Sequence, residues 1–221
     1  MEIRKSGVIY FCNDTMAIVG GFENFRPVLD IPATIAGRPV MKIADYAFAN
    51  TEILEAHLPN SITHIGKSAF QNCTQLFTVT FDKKSNQLLM NQKHLRIDEL
   101  AFAGCKDLFD FMGEFKDVEL GNRCFWDCAN LYILNINIKD VQKEVFKECN
   151  NLSNISFANN PTIVEKSFDA ANCIQVFHFV KDADLQGELL DYTLKNQIQI
   201  QCHHQSNLVD LIYQGVKIEI Y

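Results

Sequence analysis

A pattern that recurs six times constrains the fold of this chain more than any other feature. In each copy an aliphatic residue precedes a phenylalanine by five positions. The six phenylalanines are Phe48, Phe70, Phe102, Phe125, Phe146 and Phe168. Their separations are 22, 32, 23, 21 and 22 residues, so four of the five agree within two residues. Such a period is typical of a solenoid, in which each copy forms one turn and buries its apolar face on its neighbours.

Each copy also predicts one short β-strand. An aliphatic residue lies six positions after the phenylalanine in five copies, and the first copy, one residue shorter, uses Ile53. A segment with apolar residues two apart follows, as in Val79 and Phe81. This alternation indicates a strand with one buried face. One strand per copy, stacked copy on copy, predicts a parallel sheet.

The stretch IGKSAFQNCTQLFTVTF, residues 65–81, is the clearest copy. It resembles the BspA-like leucine-rich repeats, whose unit reads IGxxAFxxCxxLxxIxLP, and LEAHLPNSITHI, residues 54–65, matches it as well. Residues 31–48 are similar to the lead-in segment of that class, and the resemblance extends to about Phe179. It implies a β-rich, α/β-type right-handed leucine-rich-repeat solenoid. The parallel β-sheet would line the concave face, with short irregular or 3-10 segments on the convex side. The resemblance also implies a binding or adhesion module and supplies no catalytic residues.

We expect one domain with capped ends, because an open solenoid end exposes apolar core. Residues 1–42 are predicted to form the N-terminal cap, residues 43–184 the six repeats, and residues 185–221 the C-terminal cap. The long second repeat carries a polar, amide-rich insertion at 82–95. This insertion is interpreted as a surface loop, with a local contact site as the alternative.

Both caps contain strand-like segments. In the N-terminal cap, IYFC and MAIVGGF read as two strands joined through the turn-forming pair Asn13-Asp14. In the C-terminal cap, QIQIQC and VKIEIY alternate like strands. NLVDLIYQG between them is compatible with a short helix that ends at Gly215.

Charge and hydropathy exclude several partner classes. The 221 residues carry a net charge of −7, whereas nucleic-acid binding requires a basic face. No apolar run approaches the roughly 20 residues of a membrane-spanning helix. The N-terminus lacks the apolar stretch of a signal peptide. The chain is therefore expected in the cytoplasm if Met1 is native, and outside the cell or on its surface if a leader has been removed.

The cysteines are interpreted as structural. Four of them share one repeat position and should form a buried column: Cys73, Cys105, Cys128 and Cys149. Cys124 takes the usual alanine position of its repeat and is also assigned to the core. The cluster Cys202-His203-His204 contains metal-ligating residue types, but adjacent side chains on a strand point to opposite faces. A surface turn is favoured there, and a metal-dependent hydrolase is the remote alternative. No catalytic motif stands out, so we expect no enzyme, cofactor or metal site.

The outward residues of the predicted strands are the candidate binding residues. They form two columns on the concave face: Glu55, Thr78, Asp110, Ile133, Asn154 and Val176, then His57, Thr80, Met112, Asn135, Ser156 and His178. An edge column contains Asp82, Glu114, Asn137, Ala158 and Val180. The weakly acidic, mixed character of these columns favours a protein or a glycan partner. The sequence thus predicts a non-enzymatic protein–protein interaction module. The alternatives are a bacterial surface or secreted adhesin that binds host protein or carbohydrate, and a face that is merely solvated.

Overall fold

A computed structural model describes residues 1–82, 93–164, 167–168, 173–179, 187–202 and 217–220. Several predicted features lie outside these residues. They are most of the insertion (83–92), Val180, the pair His203-His204, and the short helix expected at 207–215.

The chain begins with an antiparallel meander. It consists of β1 (Glu2–Lys5), β2 (Val8–Cys12) and β3 (Ala17–Phe22), and β2 and β3 form the predicted hairpin. The hairpin turns at Asn13, whose side-chain Oδ1 accepts hydrogen bonds from the backbone N–H of Thr15 and Met16, each at 2.9 Å. An asparagine that bonds its own following backbone in this way fixes a tight turn.

One strand per repeat forms the predicted parallel sheet. Its strands are β4 (Val28–Asp30), β7 (Glu55–Leu58), β9 (Thr78–Phe81), β11 (Asp110–Met112) and β13 (Ile133–Asn135). Next to β13 lies the first half of β15 (Asn154–Ile163), followed in parallel by β16 (Val176–Phe179), β17 (Gln199–Cys202) and β18 (Lys217–Ile220). We call this succession of strands the front row. It confirms the predicted β-rich solenoid.

A second strand per repeat forms the back row, where irregular or 3-10 segments were expected. It runs through β6 (Arg38–Ile43), β8 (His64–Ile65), β10 (His94–Ile97), β12 (Asp117–Leu120), β14 (Ile138–Val141) and the second half of β15. At its start β3 pairs with β6, and the two-residue β5 (Thr34–Ile35) pairs antiparallel with β6. These strands are two to six residues long, and their buried residues do not recur at one spacing, so they give no common alternation in the sequence.

A wall of turns joins the back row to the front row and carries the repeat phenylalanines. In the first five repeats, the residue two positions before the phenylalanine and the residue two positions after it both have positive φ angles. The later position is held by Asn50, Asn72, Gly104, Asp127 and Glu148, with φ between 57° and 75°. Asn, Gly and Asp adopt this left-handed conformation at the lowest cost, so the turn is encoded in the repeat.

The core consists of stacked side chains from successive repeats. The six repeat phenylalanines are buried, and neighbouring rings stack with centroids 5.0 to 6.2 Å apart. The predicted cysteine column is confirmed as core. Each of its thiols donates to the carbonyl of the phenylalanine one repeat earlier, at 3.0 to 3.2 Å. Burial raises the pKa of Cys105, Cys124, Cys128 and Cys149, so these cysteines stay protonated.

A ten-residue helix, α1 (Gly187–Asn196), was not expected from the sequence. Its Tyr192 packs on the last repeat phenylalanine, Phe168, with ring centroids 5.0 Å apart. Tyr192 thereby extends the ring stack by one step. The strands β17 and β18, predicted from QIQIQC and VKIEIY, follow this helix.

Candidate interaction face

The predicted binding residues lie on the front row and point away from the core. Cα pairing places Glu55, Thr78, Asp110 and Ile133 side by side, and does the same for His57, Thr80, Met112 and Asn135. One repeat further along, Asn154 pairs with Val176 and Ser156 with His178. The strand residues between them are buried, for example Val79 and Phe111. The two columns therefore have the register that the sequence predicted. In the edge column, Asp82 is exposed just beyond β9.

The N-terminal third of this face is polar, and some of its side chains contact one another. His57 Nδ1 lies 2.9 Å from Thr80 Oγ1, and His57 Nε2 lies 3.3 Å from Glu55 Oε2. In the middle, Met112 is half-buried and Ile133 is 36% exposed. One carboxylate oxygen of Asp110, between them, is buried and has no hydrogen-bond partner among the described residues. The centre of the face thus has an apolar surface and an unsatisfied acceptor.

The columns extend further than the sequence predicted. At the N-terminal end, Val28 pairs with Glu55 and Asp30 with His57. At the C-terminal end, the side-chain amides of Gln199 and Gln201 both donate to Glu219 Oε2 at 2.8 Å. Strand β4 was missed because three residues give no usable alternation. Strand β17 was predicted, but as part of a cap rather than of the binding columns.

An exposed apolar stripe runs beside the columns, and sequence analysis missed it entirely. It consists of Leu54, Phe77, Phe109 and Tyr132, each directly preceding a front-row strand. Phe77 and Tyr132 are each 52% exposed. The centroid of the Phe109 ring lies 5.4 Å from that of Phe77 and 5.5 Å from that of Tyr132. The available signal was an apolar residue at the same non-core position in four successive repeats.

A cavity of about 320 Å³ lies along this stripe. It is lined by Gln75, Phe77, Asp107, Phe109, Asn130 and Asn151. Its polar side is a row of side chains bonded from repeat to repeat. Asn151 donates to Asn130 Oδ1 at 3.2 Å, and Asn130 donates to Asp107 Oδ1 at 3.5 Å.

The outward side of the back row carries charged side chains that form ion pairs with one another. Asp98 accepts from Arg96 at 2.7 Å and lies 2.6 Å from His64. Lys139 lies 3.6 Å from both Glu119 and Asp140. Burial alone would raise the pKa of Asp98, but its hydrogen bonds with His64 and Arg96 lower that pKa below its usual value. These charges link neighbouring repeats to one another.

The region proposed as a remote metal site is only partly described. Cys202 is buried at the end of β17, and the adjacent histidines are outside the described residues. Within the described part of the chain, no group of three or more His, Cys, Asp or Glu side chains could hold a metal ion. In the same residues, no helix has both the length and the apolarity needed to cross a bilayer.

Solved structures with the same architecture come from bacteria. The chain is 18% identical to the T. pallidum leucine-rich repeat protein, with a TM-score of 0.53 over 99% of this chain and 98% of that one. A leucine-rich cell surface protein from Faecalibacterium prausnitzii is also 18% identical, with a TM-score of 0.53. That match covers 91% of this chain but only 45% of the larger protein. A leucine-rich repeat protein from Eubacterium ventriosum is 25% identical, with a TM-score of 0.50 over 76% of this chain and 49% of that one.

Sequence comparison identifies the repeats directly. No curated protein matches the chain significantly. Six copies of the BspA type leucine rich repeat region match residues 41–91 and 84–201, which is well over half of the chain. That repeat accounts for the stacked phenylalanines, the buried cysteine column and the front-row register. The chain therefore belongs to the BspA type leucine-rich repeat family.

Proposed function

We propose that this protein is a non-enzymatic interaction module that binds another protein through the outward face of its front row. The apolar stripe of Leu54, Phe77, Phe109 and Tyr132 is the observation that carries this proposal. An exposed apolar surface that spans several repeats is costly in water unless a partner covers it. The described residues of the back row show no such stripe, and their charged side chains pair with one another.

The stripe and the columns together form a mixed surface of the kind that protein partners cover. Phe77 and Tyr132 are large side chains whose burial would supply most of the binding free energy, as aromatic residues do at protein interfaces. Ile133, directly beside Tyr132, extends the apolar area into the columns. The polar side chains around it would fix the partner's orientation.

The distribution of charge along the face predicts the orientation of a bound partner. Glu55 and Asp82 lie towards the N-terminal end, and the net charge of the protein is −7. The middle is apolar, around Met112 and Ile133. A partner with an apolar centre and a basic flank is the most complementary, because opposite charges across an interface speed encounter and fix register.

Substitutions on the front face, with a control in the wall of turns, test the proposal. Binders selected from a displayed protein library against the whole chain would be measured by surface plasmon resonance with Met112→Glu, Asn135→Arg and Phe77→Ser. Trp126→Ser, which removes a 37%-exposed aromatic residue outside the stripe, is the matched control. We expect binding to weaken about tenfold or more for the front-row variants, as for interface hot spots, and to be unchanged for the control. Binders unaffected by all three front-row variants would exclude this face.

A carbohydrate partner is the second candidate function, favoured by the amide-lined cavity beside the stripe. Asn130, Asn151 and Asp107 offer both donors and acceptors, which sugar hydroxyls require, next to aromatic rings. With this ligand the module would be an adhesin, and the F. prausnitzii structure is described as a cell surface protein. A glycan array probed with the wild type and Asn130→Ala separates the candidates. Glycan binding lost in Asn130→Ala supports the adhesin, and an array without binding removes it.

A further inference from the structure

The N-terminal meander covers the first strand of the back row but not the first strand of the front row. Strand β3 pairs with β6, so the meander covers the first back-row strand. Strand β4 is the first strand of the front row and pairs only with β7 among the described residues. The front row therefore has an uncovered edge, and an uncovered edge is a template on which another strand can add.

The backbone groups that this edge presents can be identified. Leu54 N–H donates to Pro27 O at 2.7 Å, and Ile31 N–H donates to His57 O at 3.0 Å, so residues 27 and 31 face β7. Because the N–H and C=O of one residue point to the same side of a strand and alternate residues point to opposite sides, Leu29 also faces β7. Val28 and Asp30 face the open edge, and no described backbone group bonds to either from the meander.

A groove follows this edge along its full length. One cavity of about 430 Å³ is lined by Ser6, Val8, Phe22, Arg26, Pro27, Val28, Leu29 and Asp30. A second, of about 310 Å³, is lined by Lys5, Ser6, Asp30, Ile31, Pro32, His57 and Asp82. Both share Ser6 and Asp30, so they join end to end. The meander forms one wall of the groove, and β4 forms the other.

We propose that β4 is a strand-addition site for an extended peptide segment of another protein, a site separate from the outward face of the front row. The main chain of the segment would bond to the N–H and C=O of Val28 and Asp30. Recognition of an extended peptide by an exposed sheet edge combines such main-chain bonds with pockets for alternate side chains.

The side chains of the groove specify the segment's chemistry. Alternate residues of an added strand point to opposite faces. Those pointing inwards enter the apolar cavity beside Val8, Phe22 and Leu29. Those pointing outwards meet the column that contains Asp30, with Asp82 nearby. Because Lys5 and Arg26 also line this groove, a wholly basic row would be repelled. The segment that fits best alternates apolar residues with polar ones and places one basic residue opposite Asp30.

The shape of the groove selects a single segment over a second copy of this chain. Strand β4 is recessed behind the meander, which contributes Ser6, Val8 and Phe22 to the facing wall. Two recessed edges of this kind cannot approach each other, whereas a single extended segment can enter. Pro32 has the same parity as Val28 and Asp30 and lacks an N–H, so it ends the row of donors at the open edge. Val28 and Asp30 then offer four main-chain hydrogen bonds, and the cavity contacts must supply the remaining affinity.

The probe is a fluorescein-labelled heptapeptide in which valine alternates with serine, with lysine in place of the central serine, and its binding to the whole chain is measured by fluorescence anisotropy. Val28→Pro removes only the outward N–H, and Val28→Ala retains it. We expect the proline variant to bind up to tenfold more weakly than the alanine variant, the loss of one hydrogen bond. Asp30→Asn should weaken binding at low salt and less so at high salt. N-methylation of the valines removes their backbone N–H donors, so the same peptide with N-methylated valines should not bind.

Amide hydrogen exchange by NMR gives an independent readout that does not depend on folding of the proline variant. In the wild-type protein, saturating peptide should slow exchange at Val28 and Asp30 and leave Thr78 and Asp110 unchanged. Equal affinity of the Val28→Pro and Val28→Ala proteins, protection at Thr78 or Asp110 instead, or absence of saturable binding would each overturn the proposal. Self-association that is seen in sedimentation and abolished by Val28→Pro would assign the edge to a second copy and overturn it as well.

Discussion

The front and back rows share one repeat and one core, yet their outward faces differ in chemistry. On the back row, Asp98 pairs with His64 of the preceding repeat and with Arg96 of its own. On the front row, Ile133 is exposed and a buried oxygen of Asp110 has no partner among the described residues. The core positions of a solenoid are constrained by stacking, whereas its outward positions vary independently. Here the side chains of one face bond successive repeats together, and the other face exposes the apolar surface that we propose as the binding site.

The largest expected effect tests whether the two rows depend on one core. The ring of Phe102 stacks on Phe70 and Phe125 and meets the front-row Phe111 edge-on. Phe102→Ala should lower the free energy of unfolding by about 3–5 kcal/mol, since it opens a cavity between the rows. Urea unfolding measures this, and hydrogen exchange should show equal loss of protection in β10 and β11. Loss confined to one row would show that the rows unfold independently.

A matched pair of carboxylate substitutions tests the contrast between the outward faces. Asp98→Asn weakens two charge-assisted hydrogen bonds on the back row and should cost about 1–2 kcal/mol of unfolding free energy. Asp110→Asn on the front row removes the charge of a carboxylate that has one buried oxygen without a partner among the described residues. It should therefore leave the free energy of unfolding unchanged or raise it. Urea denaturation of both variants at neutral pH provides the measurement. Equal costs would mean that the front face is as tightly bonded as the back face.

Acid should affect the back row through Asp98. Because its folded-state pKa lies below the usual value, Asp98 stabilises the fold above that value, and the contribution is lost as the pH falls through the folded-state pKa. Thermal melts between pH 5 and pH 3 should therefore show a shallower decline for Asp98→Asn than for the wild type. Parallel curves would remove Asp98 from the acid response.

The smallest expected effect is on the front row, at His178. Burial lowers the pKa of His178, so the unfolded chain takes up this proton at a higher pH than the folded chain does. Stability should therefore decline slightly as the pH falls below about 6.5, the ordinary value for histidine. His178→Gln should lack this part of the decline in melts from pH 7.5 to pH 5.5. Asp98→Asn is the control, because this variant should retain the decline in stability that His178 causes.

The sequence predicted most of the front row because the repeat places apolar residues two apart there, as in β7 and β9. Val79 and Phe81 fix both the register and the outward positions on either side of them. The back-row strands were missed because their core residues share no common spacing. Strand β8 has one core residue, β10 has two at a spacing of two, and β14 has two at a spacing of three. The cysteine column was interpreted correctly, since a small apolar residue at a fixed repeat position packs on its own copies.

The binding features that the sequence missed depend on contacts between repeats or at their ends. Phe77, Phe109 and Tyr132 occupy a position that reads as a loop within any single repeat, and only stacking brings their rings together. The β4 edge requires knowledge of which strand the meander covers. The predicted caps at 1–42 and 185–221, the insertion at 82–95, and the use of the concave face all stay predictions.

The most direct test of the central claim is hydrogen exchange of the whole chain with a selected protein partner, compared with the unbound chain. Binding through the front row predicts slowed exchange in β9, β11 and β13 and at Phe77 and Tyr132, with β10, β12 and β14 unchanged. Protection that appears instead in β10, β12 and β14 would place the partner on the back row and contradict the account.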